Sequence, residues 1–438
     1  MNRSFLLIFT ILYFNVLLVA QSQMDTLSEK ATLHDCIDYA LVHQPSIRQS
    51  LLNEKIVNQE IRSKLADWFP QINFNISVQH YYELPTSIYQ GREVHFGSFN
   101  TSSIQFSATQ NILNRDVLFA VTSAGDVREQ ASQTSEENRI NVVVNVSKAY
   151  YAVLLSLDQI ELVNEDISRL ERGYKDAYAQ YEGGIVDKTD YMQASIALNN
   201  ARAELTQVQE QLKTSIANLK QQMGYPPESK LILTYNKTEM EDEVSIDTTL
   251  VLSYENRIEY KALKTQKRLQ EANLNYYDWG FLPSLSAFGQ YNLNYQNDQL
   301  SPLYDHNFPN SFIGLQLSFP ILQGGKRFQQ IEQAKLELEL VDYDKQNLEN
   351  SISTEYTQAL GNYKSSLENY QVQKDNLKLA QDVYDIIELQ YKSGIKTYLD
   401  VITAETNLKS TQVNSLNSLY QVLISKLDLQ KALGIIQY

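Results

Sequence analysis

Five histidines, one cysteine and two acid-bearing spacings are the residues of this 438-residue sequence that chemistry would first recruit. His34, His43, His80, His95 and His306 are scattered. No His-Glu-x-x-His pair brings two of them to one helix face, as a zinc hydrolase needs. Gly-x-Ser-x-Gly and Gly-x-Gly-x-x-Gly do not occur, which removes the nucleophile elbow and the dinucleotide fingerprint. Gly324-Gly325-Lys326 lacks the spacing and the Ser/Thr of a phosphate loop. Cys36 stands alone, which excludes a disulfide framework and any multi-cysteine metal site. Its apolar helical neighbours mark it as packing rather than nucleophile. Asp187-x-x-Asp190 and Thr397-x-x-Asp400 have the spacing with which a side chain caps a helix N-terminus. No titratable groups converge, so the sequence reads as a non-enzyme without cofactor or metal.

The elements that carry these residues are unusually long. Gly 15 and Pro 9 are few for such a chain, so turns are few. Lys+Arg 37 against Asp+Glu 52 leaves a net charge of -15, which argues against a nucleic-acid partner. Asn2 and Arg3 precede a charge-free run over residues 5–20, followed by Gln21, Ser22 and Gln23. That is the layout of a secretory signal, here residues 1–22. The alternative, an N-terminal anchor, needs about 20 apolar residues, and the run is shorter. No later segment is apolar for about 18 residues without interruption, so no helical span is expected.

Two copies of one pattern fill the remainder. Trp68-Phe69-Pro70 recurs as Phe281-Leu282-Pro283, and Ile112-Leu113 as Ile321-Leu322. Tyr181-Glu182-Gly183-Gly184-Ile185 recurs as Tyr391-Lys392-Ser393-Gly394-Ile395, and Met223-Gly224 as Leu433-Gly434. The order is kept and the offset stays near about 210 positions, which marks a tandem duplication. The first copy spans residues 23–224, a linking segment 225–247, the second copy 248–434 and a tail 435–438. Each reads helix, strand, strand, long helix, turn, helix. Predicted helices cover 33–65, 117–181 and 188–223, then 248–279, 326–391 and 397–433. Leu205, Val208, Leu212, Ile216, Leu219 and Met223 form a narrow 3–4 seam of the coiled-coil kind.

Between the helices the period changes to two. Ile72, Phe74, Ile76 and Val78 alternate with Asn73, Asn75, Ser77 and Gln79, and Ile104, Phe106 and Ala108 with Gln105, Ser107 and Thr109. The second copy sets Leu285, Ala287, Tyr291, Leu293 and Tyr295 against Ser286, Gln290, Asn292 and Asn294, and Ile313, Leu315, Leu317 and Phe319 against Gly314, Gln316 and Ser318. Alternation over about 9–11 residues, apolar outward and polar inward, is the pattern of an outer-membrane β-barrel. A soluble sheet with one wet face has the same local pattern. The signal sequence and the long tyrosine-containing loops 85–97 and 296–310 favour the membrane. Tyr81, Tyr82, Tyr291 and Tyr295 are expected as interfacial anchors at strand ends. Four strands cannot close a barrel that needs about eight, and open edges in lipid cost several kcal/mol per unpaired group. Several chains must therefore share one barrel.

Thr32-Leu33-His34-Asp35-Cys36-Ile37 with Ala40-Leu41 and Pro45, Phe319-Pro320-Ile321-Leu322-Gln323-Gly324-Gly325, and the two Tyr-x-x-Gly turns resemble the corresponding stretches of the TolC-type outer-membrane efflux proteins. The resemblance runs from about residue 27 to 434. Asn111 stands where the second copy has Pro320, a departure from the family pattern. The resemblance implies a mainly α fold with a small β part. In it a tandem-duplicated coiled-coil barrel of long helices joins four strands per chain, which contribute to a trimeric, twelve-stranded transmembrane β-barrel. It implies a homotrimer in the lipid of the outer membrane with a helical tunnel in the periplasm. That duct serves an inner-membrane transporter through a periplasmic adaptor (membrane fusion) protein, in an efflux pump or type I secretion system. By position, the resemblance makes Thr189, Asp190, Tyr391 and Lys396 the latch of the periplasmic mouth. Lys396 replaces a family arginine and loses its bidentate geometry, so the latch is expected to be looser. Asp400 matches the first of two constriction aspartates, while the second falls on Thr403. The turns at Gly183, Gly184 and Gly394 are the expected docking points for the adaptor. The competing reading is a periplasmic coiled-coil scaffold or adaptor without a barrel, which should lack the paired strands.

Overall fold

The structure is a computed structural model, and residues 30–235 and 237–438 are described. The expected signal peptide lies outside the described residues. The chain opens with α1 (Leu33–His43) and α2 (Pro45–Ala66), then the strands β1 (Gln71–His80), β2 (Thr86–Tyr89), β3 (Arg92–His95) and β4 (Asn100–Leu113). The hairpin of α3 (Arg115–Glu182) and α4 (Lys188–Met223) follows, then the short α5 (Lys237–Asp242). The second half has α6 (Ile258–Asp278), β5 (Ser284–Asn297), β6 (Asn307–Ser318), and the hairpin of α7 (Lys326–Lys392) and α8 (Tyr398–Leu433).

Three expected boundaries shift for local reasons. The single opening helix 33–65 is two helices, because Pro45 disfavours the α conformation at Gln44, which is extended. The helix expected over 248–279 begins at Ile258. Upstream, Asp247 accepts from the backbone and hydroxyl of Thr249, and Tyr254–Asn256 forms a 3₁₀ turn. The loop 85–97 contains the small β2–β3 hairpin, turned at Gln90 and Gly91. The departure at Asn111 is absorbed within β4, where the pairing shifts between Asn111 and Leu113. The bend into α3 is made instead by Asn114, whose side chain accepts from the Asp116 N–H at 2.7 Å.

At 1.5 Å per residue, the 68-residue α3 and the 67-residue α7 each run roughly 100 Å. Each returns in a 36-residue partner, α4 or α8. The largest core sits midway along them, where Val142–Leu154 of α3 meet α1, the C-terminal halves of α4 and α8, and the linker. The most apolar stretch of α3 is long enough to cross a membrane, but 61% of it is buried inside the chain. It is a core segment. Polar bonds tie the linker to this core. The Tyr363 hydroxyl donates to the Val244 carbonyl at 3.0 Å, and Tyr235 and Tyr420 both donate to the buried carboxylate of Asp158. Arg257, also buried, spans Glu259, Glu355 and the Ala432 carbonyl at the end of α8.

The strands β1-β4-β5-β6 form one antiparallel sheet in that order. Register aligns Phe74, Phe106 and Tyr291 across three strands, and Ile76, Ile104 and Leu293 beside them. The apolar face is bare in the single chain, with Ile72, Ile313, Leu315 and Leu317 exposed. The other face carries an amide ladder, in which Ser103 donates to Asn294 and Asn292 to Asn310. Three residues break that polar face, Phe288, Phe308 and Phe312, a mixture the alternation did not predict. The Phe288 ring lies over Gly314 of β6, where a Cβ would stand 2.7 Å from it. Tyr291 sits mid-strand opposite Phe106 and Ser311, so it is a face residue and not a strand-end anchor. Among the described residues, β1 and β6 each keep one edge without a partner.

Candidate gate and docking turns

Both hairpins turn in the same way at the end far from the sheet. In the first, the Gly184 N–H donates to the Tyr181 carbonyl and the Ile185 N–H to the Gln180 carbonyl, both at 2.9 Å. In the second, Gly394 donates to Tyr391 and Ile395 to Gln390, again at 2.9 Å. Gly184 at φ 70° and Gly394 at φ 75° occupy the left-handed region that ends a helix and that side chains resist. Gly183 is in ordinary helical geometry. Each turn holds up a bare isoleucine, Ile185 at 76% and Ile395 at 72% exposure. These two lie within the repeated motif, yet nothing local singles them out, since exposure is a tertiary property.

Of the latch candidates, Tyr391 is the one that joins the two hairpins. Its hydroxyl donates to Gln180 Oε1 of α3 at 3.2 Å, and its ring packs on Tyr398 at 5.7 Å. Burial raises the Tyr391 phenol above its ordinary pKa, with Asp190 and Asp176 adding to the shift, so it stays a donor. Tyr398 in turn fills a notch at Gly173, where a Cβ would stand 2.9 Å from its hydroxyl. Lys396, in the turn before α8, faces Asp400 of its first turn at 3.7 Å, so in the single chain it pairs within its own hairpin end. Thr189 is exposed, and among the described residues no hydrogen bond or ion pair joins Thr189 or Asp190 to Tyr391 or Lys396.

Asp400 forms a full capping box with Thr397. It accepts from the Thr397 backbone at 2.9 Å and hydroxyl at 2.8 Å, and its own N–H donates to the Thr397 hydroxyl. Those bonds hold its carboxyl below the usual carboxylate range. Its side chain remains 38% exposed, so cap and charge are available together. Asp187 occupies the N-cap position of α4 but makes no side-chain capping bond, so only one of the two expected acid caps forms.

Above the turns lies a feature that sequence reasoning missed. Asp166 and Arg169 of α3, Glu204 of α4, and Glu405 and Lys409 of α8 meet at the seam between the hairpins. Lys409 Nζ is 3.0 Å from Asp166 Oδ2 and also bonds Glu204, while Arg169 reaches Asp166 at 3.4 Å. Arg169 Nε stands 3.6 Å from Glu405 Oε1, within ion-pair range but too far for a hydrogen bond, and neither buried atom has a hydrogen-bond partner among the described residues. Burial pushes the Glu405 carboxyl up to about 7, and the nearby Asp166 adds to the shift. One signal was available. Tyr398, Val401, Glu405 and Leu408 follow the 3–4 spacing of the α8 seam and are all buried, so Glu405 holds a core position.

The model of the family described as outer membrane efflux protein matches residues 36–225 and 251–435. Outer membrane protein TolC of Salmonella enteritidis is 22% identical over 424 residues, 94% of this chain and 84% of that protein. The probable efflux pump outer membrane protein TtgC of Pseudomonas putida is 23% identical over 418 residues, 92% and 82% of the two chains. Among solved structures, CusC superposes with a TM-score of 0.77 at 18% identity over 95% of each chain. VceC of Vibrio cholerae does so at 0.72 and 18%, over 92% of this chain and 96% of that one.

Proposed function

This chain belongs to the outer membrane efflux protein family, and on that footing we propose that three copies form one exit duct, coupled to an inner-membrane transporter through a periplasmic adaptor. The protein is an outer-membrane channel whose helices extend into the periplasm. The observation that carries the trimeric reading is the four-stranded sheet, bare on its apolar face and unpaired at both edges. Lipid covers such a face, and neighbouring copies supply the edges, because unpaired backbone groups in a bilayer cost several kcal/mol each. The strands also set aside a periplasmic scaffold, which has no use for a two-sided sheet.

In this reading the hairpin ends are the gate. Tyr391 bonds the second hairpin to the first, Lys396 and Asp400 stand at the mouth, and Thr189 and Asp190 stand beside them at the start of α4. The turns at Gly183, Gly184 and Gly394, with Ile185 and Ile395 exposed on them, take the adaptor. Fractionation followed by gel migration with and without heating tests the assembly. A trimer-sized, heat-dissociable band in the outer membrane is expected, and a soluble monomer overturns the reading.

A further inference from the structure

We propose that Glu405 and the ions around it form a proton-operated joint, which clasps α8 to α3 in acid and releases the two hairpins as the periplasm turns alkaline. The proposal rests on the tip being the gate. Its basis is a charge count at a seam in which Asp166 and Glu405 are buried while Glu204 and Lys409 keep contact with solvent. Asp166, Glu204 and Glu405 bring three carboxylates, and Arg169 and Lys409 two cations, so an ionised Glu405 leaves one negative charge in excess. Asp166 is 2% and Glu405 8% exposed, and both line a cavity of about 410 Å³ between α3, α4 and α8. From α7, Tyr384 and Glu388 also face Glu405, and Glu388 adds repulsion; Arg172 lies near Tyr384 on the α3 side. Tyr398 closes the side towards the turns.

Protonation removes the excess charge, and what it gives up is the long ion pair between Glu405 Oε1 and Arg169 Nε at 3.6 Å. When the hairpins part, water solvates Glu405 and its pKa falls back to the ordinary value of 4.5. The clasped form therefore binds the proton more tightly. By linkage, proton uptake favours clasping, by up to about tenfold per pH unit, over the interval from about 4.5 to about 7. Clasping is strongest at the acid end and is lost as pH rises through about 7. Above that the bias is constant.

The test measures the joint directly and the channel separately. Nitroxide labels at Ser168→Cys on α3 and Asn407→Cys on α8, in spin-diluted trimers, report the separation by pulsed dipolar spectroscopy from pH 5 to 9. Cys36 is buried with its thiol pushed up to about 12, so it leaves labelling to the introduced cysteines. Otherwise wild-type trimers should show a longer distance growing with pH, and Glu405→Gln should hold the short distance throughout. Asp166→Asn, which balances the cluster with Glu405 ionised, should move the transition to lower pH. A pH shift that survives in Glu405→Gln, or none in the wild type, overturns the joint. Conductance of the same samples decides the gate: a distance change without a conductance change keeps the joint and removes the tip contact from gating.

Discussion

Asp400 illustrates how one residue serves two ends. The two bonds from Thr397 fix the start of α8, and the same bonds keep the carboxylate ionised. In a three-fold assembly one such group per chain becomes a ring across the mouth, and a cation relieves the repulsion within it. Asp400→Asn, which can still cap, should abolish cation preference and multivalent block in planar bilayers without changing oligomer size. Because the Thr397 bonds favour the ionised carboxyl, preference should fade only as acid protonates the ring. Lys396 at 3.7 Å partly neutralises the ring, so Lys396→Ala should raise cation preference as well as conductance. If Asp400→Asn selects like wild type, the residue is a cap alone. A second site is Gly173, whose missing side chain makes room for the Tyr398 hydroxyl. Gly173→Val should displace Tyr398 and loosen its packing on Tyr391. A raised resting conductance with an intact trimer is expected, and an unchanged one would show that Tyr398 yields without cost.

At the scale of the elements, the sequence disclosed what depends on local chemistry. Scarce Gly and Pro implied long helices, and the 188–223 helix has the observed ends because Gly184 and Gly224 bound it. The strands were legible from their alternation. What escaped depends on partners distant in the chain. Asp166 and Lys409 meet across α3 and α8, and each alone reads as a surface charge. Phe288 on the polar face makes sense only once Gly314 is known to lie opposite it. The latch was drawn from positional resemblance, and of its four members Tyr391 is bonded to the other hairpin in the single chain. The docking turns lend themselves to a direct test. Gly184→Val with Gly394→Val forces a β-branched residue into the left-handed region at both turns, a cost of order 1–3 kcal/mol each. Export should fail while the trimer persists, because the core around Val142–Leu154 is far along the helices. Wild-type export would place the adaptor elsewhere.

For the whole molecule, one surface decides whether helices and sheet work as a duct. The helical part buries its largest core within the chain while Leu379, Val383, Ile386 and Leu389 of α7 stay exposed, whereas the sheet buries no core by itself. Leu315 and Leu317 of β6 pair with Ala287 and Leu285 of β5, and all four side chains lie on the apolar face. Gln316, between them, points to the opposite side with Ser286. If lipid covers the apolar face, a charge there must be desolvated in hydrocarbon, at about 2–4 kcal/mol near the midplane. Three chains carry the same change, so the cost is met three times in one assembly. Leu315→Arg and Leu317→Arg should each reduce or abolish the heat-dissociable trimer in outer-membrane fractions. Gln316→Arg, one residue away on the water-facing side, should assemble normally and alter conductance instead. Since a strand alternates its faces residue by residue, the contrast between positions 316 and 317 separates sidedness from any general intolerance of charge in β6. Normal assembly of both leucine variants with failure of Gln316→Arg would mean that the faces are reversed, with the apolar side turned inward.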